Sequence, residues 1–172
     1  MNILIFDYDG VIVDSLEICM KKVISTCKKY GLTQVNTREN FLNLLNSNFY
    51  EGLIERGISK EEIPNMMNEL KIGIKEQQEI KLFDGIAAML KELSKKNKLL
   101  ILTSNLTNVV QESLKLNDIN FFEEVIGADK EISKVKKIGS IKSKFKGCGI
   151  FYIGDTKGDI IEGRKAGIKT VA

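Results

Sequence analysis

The sequence predicts an α/β fold: a doubly wound parallel sheet with helices on both faces and one helical insertion. Short apolar runs of strand length recur along it, at Ile3 to Phe6, Leu99 to Leu102, the weaker Glu124 to Ile126, Ile150 to Ile153 and Lys169 to Ala172. Strands of a parallel sheet are buried on both faces, so they read as continuous apolar runs without alternation. Between the later runs lie helical patterns over Gly85 to Lys95, Thr107 to Leu116, Lys130 to Lys144 and Asp159 to Ala166. Strand and helix in alternation build a parallel sheet covered on both sides. The stretch from Leu16 to Lys81 breaks that rhythm. Its segments ICMKKVISTCKKY, ENFLNLLNSNFYEGLIERG and IPNMMNELKIGIKEQQEI place apolar residues at helical spacing, and it holds the only proline, Pro64. It reads as a helical subdomain inserted between the first strand and the next sheet partner. The expected division is a core of residues 1–15 and 82–172 with an insertion of residues 16–81.

Composition narrows the chemistry. The 26 basic and 23 acidic residues leave a net charge of only +3, which gives no reason to expect nucleic acid or an anionic membrane as a partner. The lysines between Lys130 and Lys146 are interleaved with Ile, Val and Gly, as on a solvated helix face. The cysteines Cys19, Cys27 and Cys148 show no CxxC spacing, so the expectation is a reduced, cytoplasmic protein. No secretory pattern is read at the N-terminus, and the apolar runs are far too short to span a bilayer. The chain has no histidine. That excludes Ser-His-Asp and Cys-His nucleophile systems and a His-rich zinc site. Any metal must be held by oxygen, which favours magnesium.

Four segments carry the candidate chemistry. Asp7-Tyr8-Asp9-Gly10 directly follows the first apolar run, and carboxylates two residues apart at a strand end face the same way. A plain strand-end turn is the competing reading. Gly154-Asp155-Thr156-Lys157-Gly158-Asp159 follows the run Ile150 to Ile153, with Asp155 at the strand end and Asp159 at a helix start, where an acid also serves as an ordinary cap. Four acids from two strand ends crowd one site, and a divalent cation is the natural compensation. Thr103-Ser104-Asn105 follows Leu99 to Leu102; hydroxyls and backbone N–H groups at such a turn cradle an anion or simply cap a helix. The fourth element is a lysine after Ser133: Lys134, Lys136 or Lys137.

In order and spacing, FDYDGVIVDS, ILTSN, the following lysine and YIGDTKGDIIEGRKAGIKTVA resemble the four motifs of the haloacid dehalogenase superfamily, in its phosphatase branch. LFDGIAAMLKELSKKNKLLILTSN resembles the approach to the second motif, with Asp84 where proline is common. The resemblance implies a Rossmann-like core and a small helical cap formed by the insertion. It implies that Asp7 is a nucleophile that becomes an acyl phosphate, and that Asp9 is the general acid and base. Magnesium would be held by Asp7, the backbone carbonyl of Asp9 and Asp155, with Asp159 in support. Thr103, Ser104 or Asn105, and Lys134, would neutralise the phosphoryl group. Lys134 is the expected lysine because it follows the short link Gly127 to Ser133 and stands nearest the strand-end rim. The implied activity is hydrolysis of a small phosphorylated metabolite. A phosphomutase on the same scaffold and a non-catalytic receiver-like or binding module are the alternatives.

Overall fold

The computed structural model describes residues 1–70 and 79–172. The part of IPNMMNELKIGIKEQQEI that falls on residues 71–78 lies outside the described residues. Five parallel strands, β1 (Asn2–Phe6), β4 (Asn97–Leu102), β5 (Phe122–Ile126), β6 (Gly149–Ile153) and β7 (Lys169–Val171), form one sheet in the order β5-β4-β1-β6-β7. The strand β1 is central, and the connection reverses direction across it. Helices α5 (Ile86–Ser94), α6 (Thr107–Leu116), α7 (Lys134–Lys144) and α8 (Lys157–Lys165) alternate with these strands, which is the doubly wound arrangement expected.

Alternation within the strands serves both faces. Leu99 and Ile101 pack with Phe6, Ile86, Leu90, Val110 and Leu114 on one side. Leu100 and Leu102 pack with Ile3, Ile5, Ile138, Ile141 and Tyr152 on the other. Complete burial of such side chains stabilises the fold by roughly 1.5–3 kcal/mol each relative to exposure. This packing holds the strand ends that carry the acidic segments.

Residues 16–70 add four helices: α1 (Leu16–Lys29), α2 (Arg38–Leu44), α3 (Phe49–Glu55) and α4 (Ile63–Glu69). They bury a core of their own, including Val23, Cys27, Phe41, Leu44, Leu53, Ile63 and Met66, against which Ala128 and Ile132 of the sheet domain also pack. The apolar spacing through ENFLNLLNSNFYEGLIERG covers two helices, not one. The break comes at Asn48, whose side chain accepts hydrogen bonds from Tyr50 N and Glu51 N and so starts α3. The long amphipathic pattern from Lys130 begins as helix only at Lys134, where Ser133 caps it.

One feature has no counterpart in the sequence reading. Two-residue strands β2 (Val13–Asp14) and β3 (Lys81–Leu82) pair antiparallel where the chain enters and leaves the helical segment. Leading into β2 is a tight turn in which Tyr8 O accepts from Ile12 N and Val13 N, with Gly10 at φ 78°. Among the described residues, no helix is long and apolar enough to cross a membrane.

Candidate active site

In an open α/β sheet the ligand crevice lies beyond the carboxyl ends of the strands where the connection reverses. Here that point is the end of β1, flanked by the ends of β4 and β6. Asp7 follows β1, Thr103 follows β4, and Asp155 lies just beyond β6. A cavity of about 170 Å³ opens there, lined by Asp7, Asp9, Thr103, Ser104, Asn105, Lys134, Asp155 and Asp159 among others. The residues to which the resemblance gives roles therefore border one space, whereas Lys136 and Lys137, the other lysines considered, do not line it.

The lysine nearest the nucleophile candidate is Lys134. Its Nζ lies 2.7 Å from Asp7 Oδ2 and 2.6 Å from Asp159 Oδ1, with all three residues buried. Lys136 is exposed, 3.8 Å from Glu131. Lys137 is buried, but its Nζ donates to Thr103 O at 2.7 Å. Asp159 is held firmly. Oδ1 also accepts from the Tyr152 hydroxyl at 2.8 Å, and Oδ2 accepts from Thr156 N and Oγ1. Thr156 and Asp159 form a capping box at the start of α8, so the cap and the charge partner are one residue. Lys134, Thr156 and Tyr152 hold the Asp159 carboxyl below its usual range despite burial. Burial pushes Asp7 up in spite of Lys134, with Asp159 adding to the rise.

Asp9 faces another way. Its Oδ1 accepts from Ser15 Oγ at 2.6 Å and contacts Cys19 Sγ at 3.7 Å. Ser15 occupies the N-cap of α1 yet makes no cap hydrogen bond with its side chain; the hydroxyl goes to Asp9. Burial raises the Asp9 carboxyl, opposed by Ser15 and by the Asn105 amide. A carboxyl raised in this way is better suited to the acid role than an ordinary one.

Carboxylate oxygens of Asp7, Asp155 and Asp159 lie within 4.8 Å of one another, a grouping that can hold a metal ion. The donors are all oxygen, as a hard cation requires. Asp155 is exposed, and its carboxyl sits where a side chain at Gly10 would have to go. Glycine at that position both adopts the left-handed turn and admits Asp155 to the cluster. The carboxyl of Asp9 is not among the three that form this group.

The sequence reading missed several partners. Ser15 is the last residue of FDYDGVIVDS, and Cys19 stands one helical turn beyond it; helical spacing from Ser15 was the available signal. Tyr152 and Thr156, which donate to Asp159, precede it by seven and three residues in the fourth motif. Tyr50, whose hydroxyl donates to Ser104 O at 2.8 Å, and Asn48, whose amide donates to Glu162 Oε1 at 3.0 Å, tie the insertion to the core. Nothing local marks them.

A doubly wound sheet thus brings a strand-end carboxylate, a buried lysine and an acidic cluster that could hold a metal ion to one cavity. The chain belongs to the haloacid dehalogenase-like hydrolase family, whose model matches residues 4–172. It is 24% identical over 180 residues to the pyrophosphatase PpaX of Bacillus mycoides, covering 100% of this chain and 83% of that protein. It is 27% identical over 176 residues to PpaX of Bacillus velezensis, covering 97% and 80%. Among solved structures, it resembles a protein described as a predicted phosphatase from Clostridium acetobutylicum, with TM-score 0.78, 22% identity and coverage of 98% and 82%. It also resembles a haloacid dehalogenase-like hydrolase from Streptococcus pneumoniae, with TM-score 0.71, 24% identity and coverage of 100% and 84%.

Proposed function

We propose that this enzyme is a magnesium-dependent phosphatase that hydrolyses a small phosphate monoester through an aspartyl-phosphate on Asp7. The observation that carries the reading is the Lys134–Asp7 contact of 2.7 Å at the mouth of β1, facing the Thr103 to Asn105 loop. Phosphoryl transfer asks chiefly for in-line positioning and for cations around the equatorial oxygens. Asp7 Oδ attacks phosphorus as the bond to the leaving oxygen breaks, and Asp9 gives that oxygen its proton. Asp9, now a base, takes a proton from water, whose oxygen attacks phosphorus and releases phosphate from Asp7. Lys134 neutralises charge on the transferring group and on Asp7. Magnesium, held by Asp7, Asp155 and the Asp9 carbonyl with Asp159 in support, would supply further neutralisation of the phosphoryl oxygens.

The insertion lines the cavity with the apolar Leu16, Val23, Phe41, Leu45, Phe49 and Met67, together with Lys22, Ser47 and Tyr50. Pyrophosphate, the compound in the name of the PpaX relatives, is charged at both ends and gains nothing from the apolar residues of that wall. An ester with a carbon-bearing leaving group does, and this favours a monoester. The test is phosphate release from p-nitrophenyl phosphate with and without a chelator. Asp7→Asn should release no phosphate while still unfolding in a cooperative thermal transition, because an amide cannot form the acyl phosphate. Even a few per cent of residual turnover would remove Asp7 from the role of nucleophile.

A further inference from the structure

We infer that Lys137 is a positioning residue, whose ammonium sets the Thr103–Ser104 peptide so that the Ser104 N–H serves the phosphoryl oxygens. The inference rests on the phosphatase reading above. Lys137 lies about one turn beyond Lys134 on α7 and is only 2% exposed. Its Nζ donates to Thr103 O at 2.7 Å. A trans peptide is planar, and its C=O and N–H point in opposite directions. Holding the Thr103 carbonyl toward Lys137 therefore turns the Ser104 N–H to the other side of that peptide, and Ser104 lines the cavity. The rest of the loop is already committed. Thr103 N donates to Ile126 O, Asn105 N donates to Thr103 Oγ1, and Asn105 O accepts from Ala128 N. Among the described residues, Ser104 N makes none of the loop's backbone hydrogen bonds.

Lys137 is also a costly residue to keep there. Burial, together with the charge of Lys134, pushes its ammonium down to about 8. An apolar side chain of similar length would sit in that place without this penalty, as is usual when function and stability compete. A side chain retained for packing would show the opposite sign.

Lys137→Met and Lys137→Gln separate these roles. With p-nitrophenyl phosphate and saturating magnesium, Lys137→Met should lose at least tenfold in kcat, within the range for weakening one preorganised donor to the transition state. Its inhibition by vanadate should weaken by a similar factor, and inhibition by inorganic phosphate by less. The thermal midpoint should change by only a few degrees, because relief of the buried charge offsets the hydrogen bond lost by Thr103 O. Lys137→Gln keeps an N–H for Thr103 O without the charge, and should recover much of the loss. Methionine and glutamine variants of equal activity, or a Met variant within twofold of wild type, would overturn the inference while leaving the phosphatase reading intact. So would a larger fall in thermal midpoint with loss of activity in proportion. A wild-type enzyme that releases no phosphate would overturn both.

Discussion

Asp7 and Asp159 share one buried ammonium, and the two carboxyls respond differently because their other neighbours differ. Asp159 has Tyr152 and Thr156 as further donors, whereas Asp7 Oδ1 has only the Tyr8 amide at 2.8 Å. Asp159 thus anchors Lys134, and Asp7 keeps the reactive oxygen. Removing the lysine leaves both acids without their counter-charge, a change that in buried pairs typically costs about 3–5 kcal/mol. Protonation of Asp7 offsets part of that. Lys134→Ala should lower kcat at least a hundredfold under saturating magnesium, whereas Lys136→Ala should stay within twofold of wild type. An active Lys134→Ala enzyme would show that another group meets the phosphoryl charge. Lys134 was the lysine expected from the short link Gly127 to Ser133, although the helical pattern itself ran from Lys130 and did not mark the helix start. The second task of Lys137 was not legible, because the Thr103 carbonyl belongs to a distant segment.

At the scale of elements, the start of α8 is one of the places where the insertion meets the core. Gly158 N donates to Leu45 O at 3.2 Å, and a Cβ at Gly158 would stand 2.6 Å from Ser47 O and 2.8 Å from Leu45 O. Gly158 lies in the first turn of α8 and is not among the positive-φ glycines, so its backbone accepts alanine and Gly158→Ala should not unfold the chain. It should push the α2–α3 connection off the core and open the cavity. The expected result is a kcat/KM at least tenfold lower with a thermal midpoint within a few degrees of wild type; unchanged kinetics would mean that this contact does not hold the insertion in place. The strands and the later helices were readable because burial on two faces and 3.6-residue periodicity are local signals. Strands β2 and β3 were not, since two residues carry no period. The gap between α2 and α3 was hidden because both helices present apolar residues in nearly one register, and only the side chain of Asn48 divides them.

For the whole molecule, the acids of the site set how stability follows pH. Burial raises Asp7, Asp9, Asp155 and Glu162 above their ordinary values. A carboxyl raised in the folded state favours folding below its unfolded pKa, near 4, and loses that contribution as pH climbs through the folded value. In chelator, the thermal midpoint should therefore fall as pH rises from 5 toward 8. Magnesium at pH 8 should restore it, by about 2.7 kcal/mol at a hundred times its dissociation constant. Asp155→Asn should raise the midpoint in chelator and abolish the magnesium response; a magnesium response that survived in this variant would move the ion elsewhere. The central position of β1 has a consequence for synthesis on the ribosome. Its neighbours are β4, with Asn2 opposite Asn97, and β6, with Asn2 opposite Gly149. The first strand to emerge must wait with both edges bare until most of the chain has followed it. Non-local pairings of this kind fold slowly and leave strand edges open to wrong partners. The helices of residues 16–70, which bury a core of their own, emerge during that wait and occupy the nascent chain before the sheet can close.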